Sequence, residues 1–139
     1  MFVLERVIAE RIAADPRFAG WSVRRGSQEG PRTVAPAVEV SLEGAQAADS
    51  KTSAANVAVA WGVHLIVRRS DTATEELDAA FAAVMDLLIN FKPGKQPADA
   101  GRFWSPLRLL NVGMPETIDQ GLMECVALFQ TSGPYTGQS

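Results

Sequence analysis

The sequence predicts an α+β fold, a mainly antiparallel sheet of about five strands with two amphipathic helices packed on it. Three observations lead there. Two segments carry apolar residues at helical spacing, several others carry them at strand spacing, and strand segments follow one another with no helix between them. Consecutive strands favour antiparallel pairing, so the predicted order is α-β-β-β-α-β-β.

The first helix opens the chain. Val3, Leu4, Val7, Ile8 and Ile12 gather on one side, while Glu5, Arg6, Glu10 and Arg11 occupy much of the other. Pro16 cannot continue a helix interior and biases Asp15 away from helical dihedrals, which stops the helix near Asp15. Trp21 and Val23 suggest a short strand running to Arg25. After a polar turn at Gly26 to Pro31, Val38, Val40 and Leu42 alternate with Glu39 and Ser41, the period of a half-buried strand. The stretch 44–55 (GAQAADSKTSAA) holds no large apolar side chain to anchor it, so it is expected as a mobile loop. A loop of about a dozen residues in so small a chain invites a functional explanation.

The longest strand is expected from Asn56 to Arg69. Val57, Val59, Trp61, Val63, Leu65 and Val67 make one face, expected to meet the core; Ala58, Ala60, Gly62, His64, Ile66 and Arg68 make the other. Small residues on that second face would admit another backbone or subunit, or a covering helix. Thr72 and Glu75 match a capping box at the start of the second helix. Leu77, Phe81, Val84, Met85 and Leu88 continue it to a stop at Lys92-Pro93-Gly94. A second mobile loop is expected over 92–101, then strands near Leu107 to Val112 and Leu122 to Thr131, and a loose tail over 132–139. Residues 1–139 read as a single domain with no repeat or linker.

At 139 residues, folding buries roughly two thirds of the surface an unfolded chain exposes, enough for a core without metal or disulfide. Hydrophobic residues at 47% and charged residues at 21% place the chain outside the disordered class. A net charge of −3 supplies no general field for nucleic acid or an anionic membrane. Cys125 is the only cysteine, which excludes an internal disulfide and points to a reducing compartment. Charged residues interrupt the N-terminal apolar run, unlike a signal peptide, and no stretch is apolar enough to span a membrane.

Catalytic chemistry finds little to work with. His64 is the only histidine, so zinc or a Ser-His-Asp or Cys-His arrangement would have to be built on it, and a structural or interface role fits a strand histidine better. Cys125 in an apolar strand reads as a buried thiol. Glu75 and Glu76 oppose the dipole of a helix start rather than form a catalytic pair. Neither a phosphate loop nor a dinucleotide turn occurs. No catalytic residue, cofactor or metal is expected. The candidate subunit contacts are Arg24-Arg25 and Arg68-Arg69 at strand ends, Asp49, Lys51 and Lys95 in the expected loops, and Arg102 and Trp104, with Phe103 between them, at a loop-to-strand boundary. The basic pairs could converge into one patch, or simply be solvated strand ends. Trp104 reads equally as a buried anchor.

Taken together, the N-terminal helix, the Trp21 strand, the Val57 to Arg69 strand, the Thr72 to Asn90 helix and the closing strand pair resemble bacteriophage tail terminator proteins. The resemblance is to the Mu-like prophage minor tail group, through this order of elements and through stretches such as VAVAWGVHLIVRRS. The resemblance implies a structural protein without enzyme activity or cofactor. Its partners would be copies of itself in a ring, a hexamer, on the last layer of the tail tube, together with the tube protein and a head–tail connector. It would halt tube growth and present a surface for head attachment, in the bacterial cytoplasm during assembly and then in the virion tail. No membrane contact and no specific nucleic-acid binding are expected. No functional residue transfers position by position. The alternatives are another head–tail completion or tail-assembly protein, a thioesterase-like enzyme using Asp78 or Asp86 as base, and a regulatory domain binding a small ligand at a dimer interface.

Overall fold

The computed structural model describes residues 1–27, 34–51, 54–95, 103–118 and 121–136. The chain runs α1 (Leu4–Ala13), a 3-10 turn (Pro16–Phe18), β1 (Ser22–Arg25), β2 (Ala37–Lys51), β3 (Ala54–Arg68) and α2 (Ala73–Leu88). It continues through β4 (Gly94–Lys95), β5 (Phe103–Trp104), β6 (Arg108–Val112), β7 (Glu116–Ile118) and β8 (Leu122–Thr136). Among the described residues six strands form one sheet in the order β1-β2-β3-β8-β6, with β7 also pairing with β8, while β4 and β5 form a small ribbon of their own. All pairings are antiparallel except β1 with β2, which run parallel. The α+β class and the predominantly antiparallel sheet are as expected; the parallel first strand is not.

Both helices pack on one face of the sheet, and strand periodicity selects that face. Trp61 lies opposite Leu42 on β2 and Phe129 on β8, Val63 opposite Val40 and Ala127, and Leu65 opposite Val38 and Cys125. These residues, with Val59 and Val67, form the core against Leu4, Ile8 and Ile12 of α1 and Leu77, Val84 and Leu88 of α2. Burying each large apolar side chain is worth about 1.5–3 kcal/mol, so this layer dominates the stability. Glu5, expected on the wet side of α1, is instead buried and ion-paired with Arg25 at 3.9 Å. It is tolerated because Ser27 also donates a hydrogen bond to it.

Helix ends follow local chemistry. The Asp15 carboxylate accepts from the Arg17 backbone N–H at 2.8 Å and caps the 3-10 turn that Pro16 opens. Arg17 then reaches Asp86 on α2 at 2.9 Å, and Arg11 of α1 donates to the Leu87 carbonyl at 2.7 Å while lying over the Phe91 ring. The capping box does not form. Thr72 sits at the N-cap, but its hydroxyl donates to Glu76 at 2.9 Å and satisfies no backbone N–H. The stop also comes before Lys92. Ile89 is extended, Asn90 takes a left-handed conformation at φ 63°, and the chain then bonds Leu107 through Asn90 and Phe91.

The expected loop over 44–55 is corrected. Residues 44–51 continue β2 and residues 54–55 begin β3, so these residues form the far end of a long antiparallel hairpin, while 52 and 53 lie outside the described residues. The tail is corrected likewise, since β8 continues to Thr136, where it pairs with Ala54. Small polar residues hold a strand here because their backbone groups are satisfied by neighbouring strands, without large side chains to bury. Of the expected loop over 92–101, Gly94 and Lys95 pair with Trp104 and Phe103; residues 96–101 lie outside the described residues.

Candidate assembly surface

β2, β3 and β8 each run 15 residues, well past the neighbours that flank them near the core. The β1 ladder ends where Gly26 donates to the Val40 carbonyl, and the β6 ladder ends at Arg108 opposite Gln130, with Ser105 bonding Ser132 just beyond. Further out, among the described residues, β2 and β8 are the two edges of a three-stranded arm. Ser132 lies level with Ala58 and Gln46, so the arm is open on both edges over Ala47 to Lys51, a reach of roughly 15 Å, while the β2 edge is open from Leu42. Open edges of this kind present unpaired backbone donors and acceptors to another chain. Trp104 closes one face of the arm: it is 3% exposed, an added Cβ on Gly133 would lie 2.7 Å from its ring, and it meets Tyr135 edge-on. It is therefore a core residue and not an exposed contact; its neighbour Phe103, 67% exposed, is the outward aromatic.

The opposite face of the sheet carries a polar cluster built on a β-bulge. The β2–β3 register slips between Leu42 and Gly44, which leaves Glu43 as the extra residue. Glu43 folds over Gly62, where an added Cβ would come within 2.9 Å of its Cγ. From there its carboxylate reaches His64 Nε2 at 3.0 Å and accepts from the Ser41 hydroxyl at 2.7 Å. Glu124 of β8 approaches the other ring nitrogen, Nδ1, at 3.3 Å. The hydrogen bond with Glu124 raises the His64 pKa above the usual histidine value, against burial and with help from Glu43. The Ser41 hydroxyl and then His64 lower that of Glu43.

Ser41, His64 and Glu124 thus lie in the sequence of contacts of a nucleophile, a base and an orienter, with Ser41 Oγ 3.0 Å from Nε2. Their proton inventory is different. Ser41 donates to Glu43, and a histidine held between two carboxylates favours the protonated state, which is not a base for a hydroxyl. The cluster clamps three strands together across β2, β3 and β8. Sequence reading picked out His64 alone, because the bulge that aims Glu43 is a register event and not a motif.

The basic pairs do not form one patch. Alternation sends Arg24 to the outer face, 3.9 Å from Glu39, and Arg25 to the helix face beside Glu5. Arg24 lies level with Glu39 and hence His64, four residues along from Arg68 and two strands away. Arg68 and Arg69 are exposed at the far end of β3. Asp49 and Lys51 lie on the arm and Lys95 in β4, while Arg102 lies outside the described residues. Asp86 is taken by Arg17; Asp78 is exposed, on the rim of a groove of about 330 Å³ that Cys125 also lines. Burial pushes the Cys125 thiol up, and it donates to the Gly113 carbonyl at 3.3 Å. Sequence reading missed the apolar run at the β6 edge, where Leu110, Val112 and Met114 are exposed, Met114 by 81%. Among the described residues no three His, Cys, Asp or Glu side chains are grouped to hold a metal, and no helix is long and apolar enough to cross a membrane.

No family model matches the chain. No curated protein matches it either. Among solved structures it is similar to a chain of the virion of a native gene transfer agent particle, with a TM-score of 0.64 and 19% identity over 95% of each chain. That similarity establishes a shared fold from end to end.

Proposed function

We propose that this protein is a structural subunit of a phage-like particle that closes into a ring, a hexamer, on the end of a tail tube. There it ends tube growth and prepares the attachment of the head. The observation that carries this reading is the end-to-end likeness to a chain of a gene transfer agent virion. The arm supports it, since two open strand edges and the apolar β6 edge are surfaces a subunit covers by meeting others. The partners are further copies, the tube protein and a head–tail connector. The role requires no catalysis or cofactor, and the proton arrangement of the His64 cluster suits a clamp.

The test is negative-stain microscopy of the purified protein alone and mixed with tail tubes from the same source. Rings in solution, or caps at one end of the tubes, are the expected result. A protein that stays monomeric at high concentration and leaves both tube ends bare overturns the reading. Density at the head vertex with bare tubes would replace it with a head-completion role.

A further inference from the structure

A groove of about 500 Å³ opens between the start of α1, the end of β1 and the base of the arm. Phe2, Val3, Leu42 and Trp61 give it an apolar lining, and Arg6 and Arg25 stand on its rim. Trp61 is fully buried, yet among the described residues its indole N–H has no hydrogen-bond partner. That N–H is out of reach of an occupant, so Trp61 serves the groove as a closed apolar floor. Glu5, also on this groove, is already neutralised by Arg25 and hydrogen-bonded by Ser27. The outward charge is therefore that of Arg6, whose 3.8 Å pairing with Glu10 is exposed and easily exchanged.

The chain carries a matching shape at its other edge. Between β6 and β7, Met114 projects 81% exposed, Pro115 biases it toward an extended backbone, and Glu116 follows with an exposed carboxylate. Such a loop offers a flexible apolar side chain and one negative charge, the complement of an apolar groove with a positive rim. β1 and β6 are opposite ends of the strand order, so groove and loop face different neighbours. A contact of that kind is head-to-tail, the class that closes into rings.

We propose that the Met114 loop of each copy seats in the groove beside Trp61 of the next copy, with Met114 on its apolar lining and Glu116 against Arg6. The inference rests on the ring reading above and assigns that ring its interface. The test is sedimentation velocity across a concentration series, with tube-capping microscopy alongside. Met114→Asp and Arg6→Glu each raise the concentration needed for assembly about tenfold or more, and Arg6→Glu combined with Glu116→Arg restores it. Mixing Met114→Asp protein with Arg6→Glu protein leaves one intact contact per pair and yields dimers without rings. If wild type forms rings or caps and these variants do so equally well, or the charge swap fails to rescue, this interface is overturned and the ring reading stands. If wild type forms neither, the ring reading itself falls.

Discussion

At the scale of single residues, two glycines carry much of the architecture. Gly62 lets Glu43 lie over β3, and Gly133 lets the Trp104 indole lie on β8. Gly133→Ala puts a methyl 2.7 Å from that ring, and the tryptophan cannot retreat without opening the core beneath it. The expected loss is about 1–3 kcal/mol in urea unfolding. His64 contributes through charge. Its pKa is raised above the ordinary 6.5, so its contribution is whole below that value and is lost as pH rises through the folded value. Glu43 behaves oppositely: lowered from 4.5, it contributes above that value and loses its share as pH falls through the folded one. The cluster is therefore strongest between the two, and wild type should lose about 0.5–1 kcal/mol relative to His64→Gln between pH 6 and pH 8, read by urea titration at each pH. Thr72→Ala should cost less than about 0.5 kcal/mol in the same assay, because the hydroxyl serves Glu76 and not the helix backbone.

At the scale of elements, what was legible in the sequence was what burial writes there. The Val57 to Val67 alternation and the Leu4, Ile8, Ile12 and Leu77, Val84, Leu88 stripes each mark a surface that meets the core. The arm was illegible for the converse reason. Glu43, Gly44, Ala45, Gln46 and Ala47 are exposed, and their strand is held by backbone pairing with β3, which in turn is held by β8. The expected tail over 132–139 holds Pro134. It stands at the end of β8 beyond the β6 ladder, where a missing N–H breaks no pairing with β6. The candidate contacts fared by the same rule: charge and aromaticity pointed to Trp104 and the arginine pairs, but the side of the strand decided which of them faced outward. Since the arm beyond Val57 adds little to the core, replacing residues 48–56 with an Asn-Gly turn should leave the thermal midpoint of the body close to wild type. Under the proposed ring reading, the same variant should fail to cap tubes, seen by microscopy.

At the scale of the whole molecule, a subunit whose complementary surfaces sit on opposite edges gains stability from its neighbours. If assembly buries the Trp61 groove and the Met114 loop, the thermal midpoint rises with protein concentration, while Met114→Asp protein melts at one temperature across the series. Differential scanning calorimetry over a hundredfold range of concentration reads this directly. The hairpin has a further property that concerns its length and not binding. Side chains alternate with a period of two, so gaining or losing one residue on each of its two strands lengthens or shortens β2–β3 without turning any core-facing side chain outward, as long as the existing bulges keep their place. Each such step changes the reach by about 3.4 Å. Small, in-frame changes in the length of the two strands can thus tune the reach of the hairpin, and the body that folds the chain never has to take part.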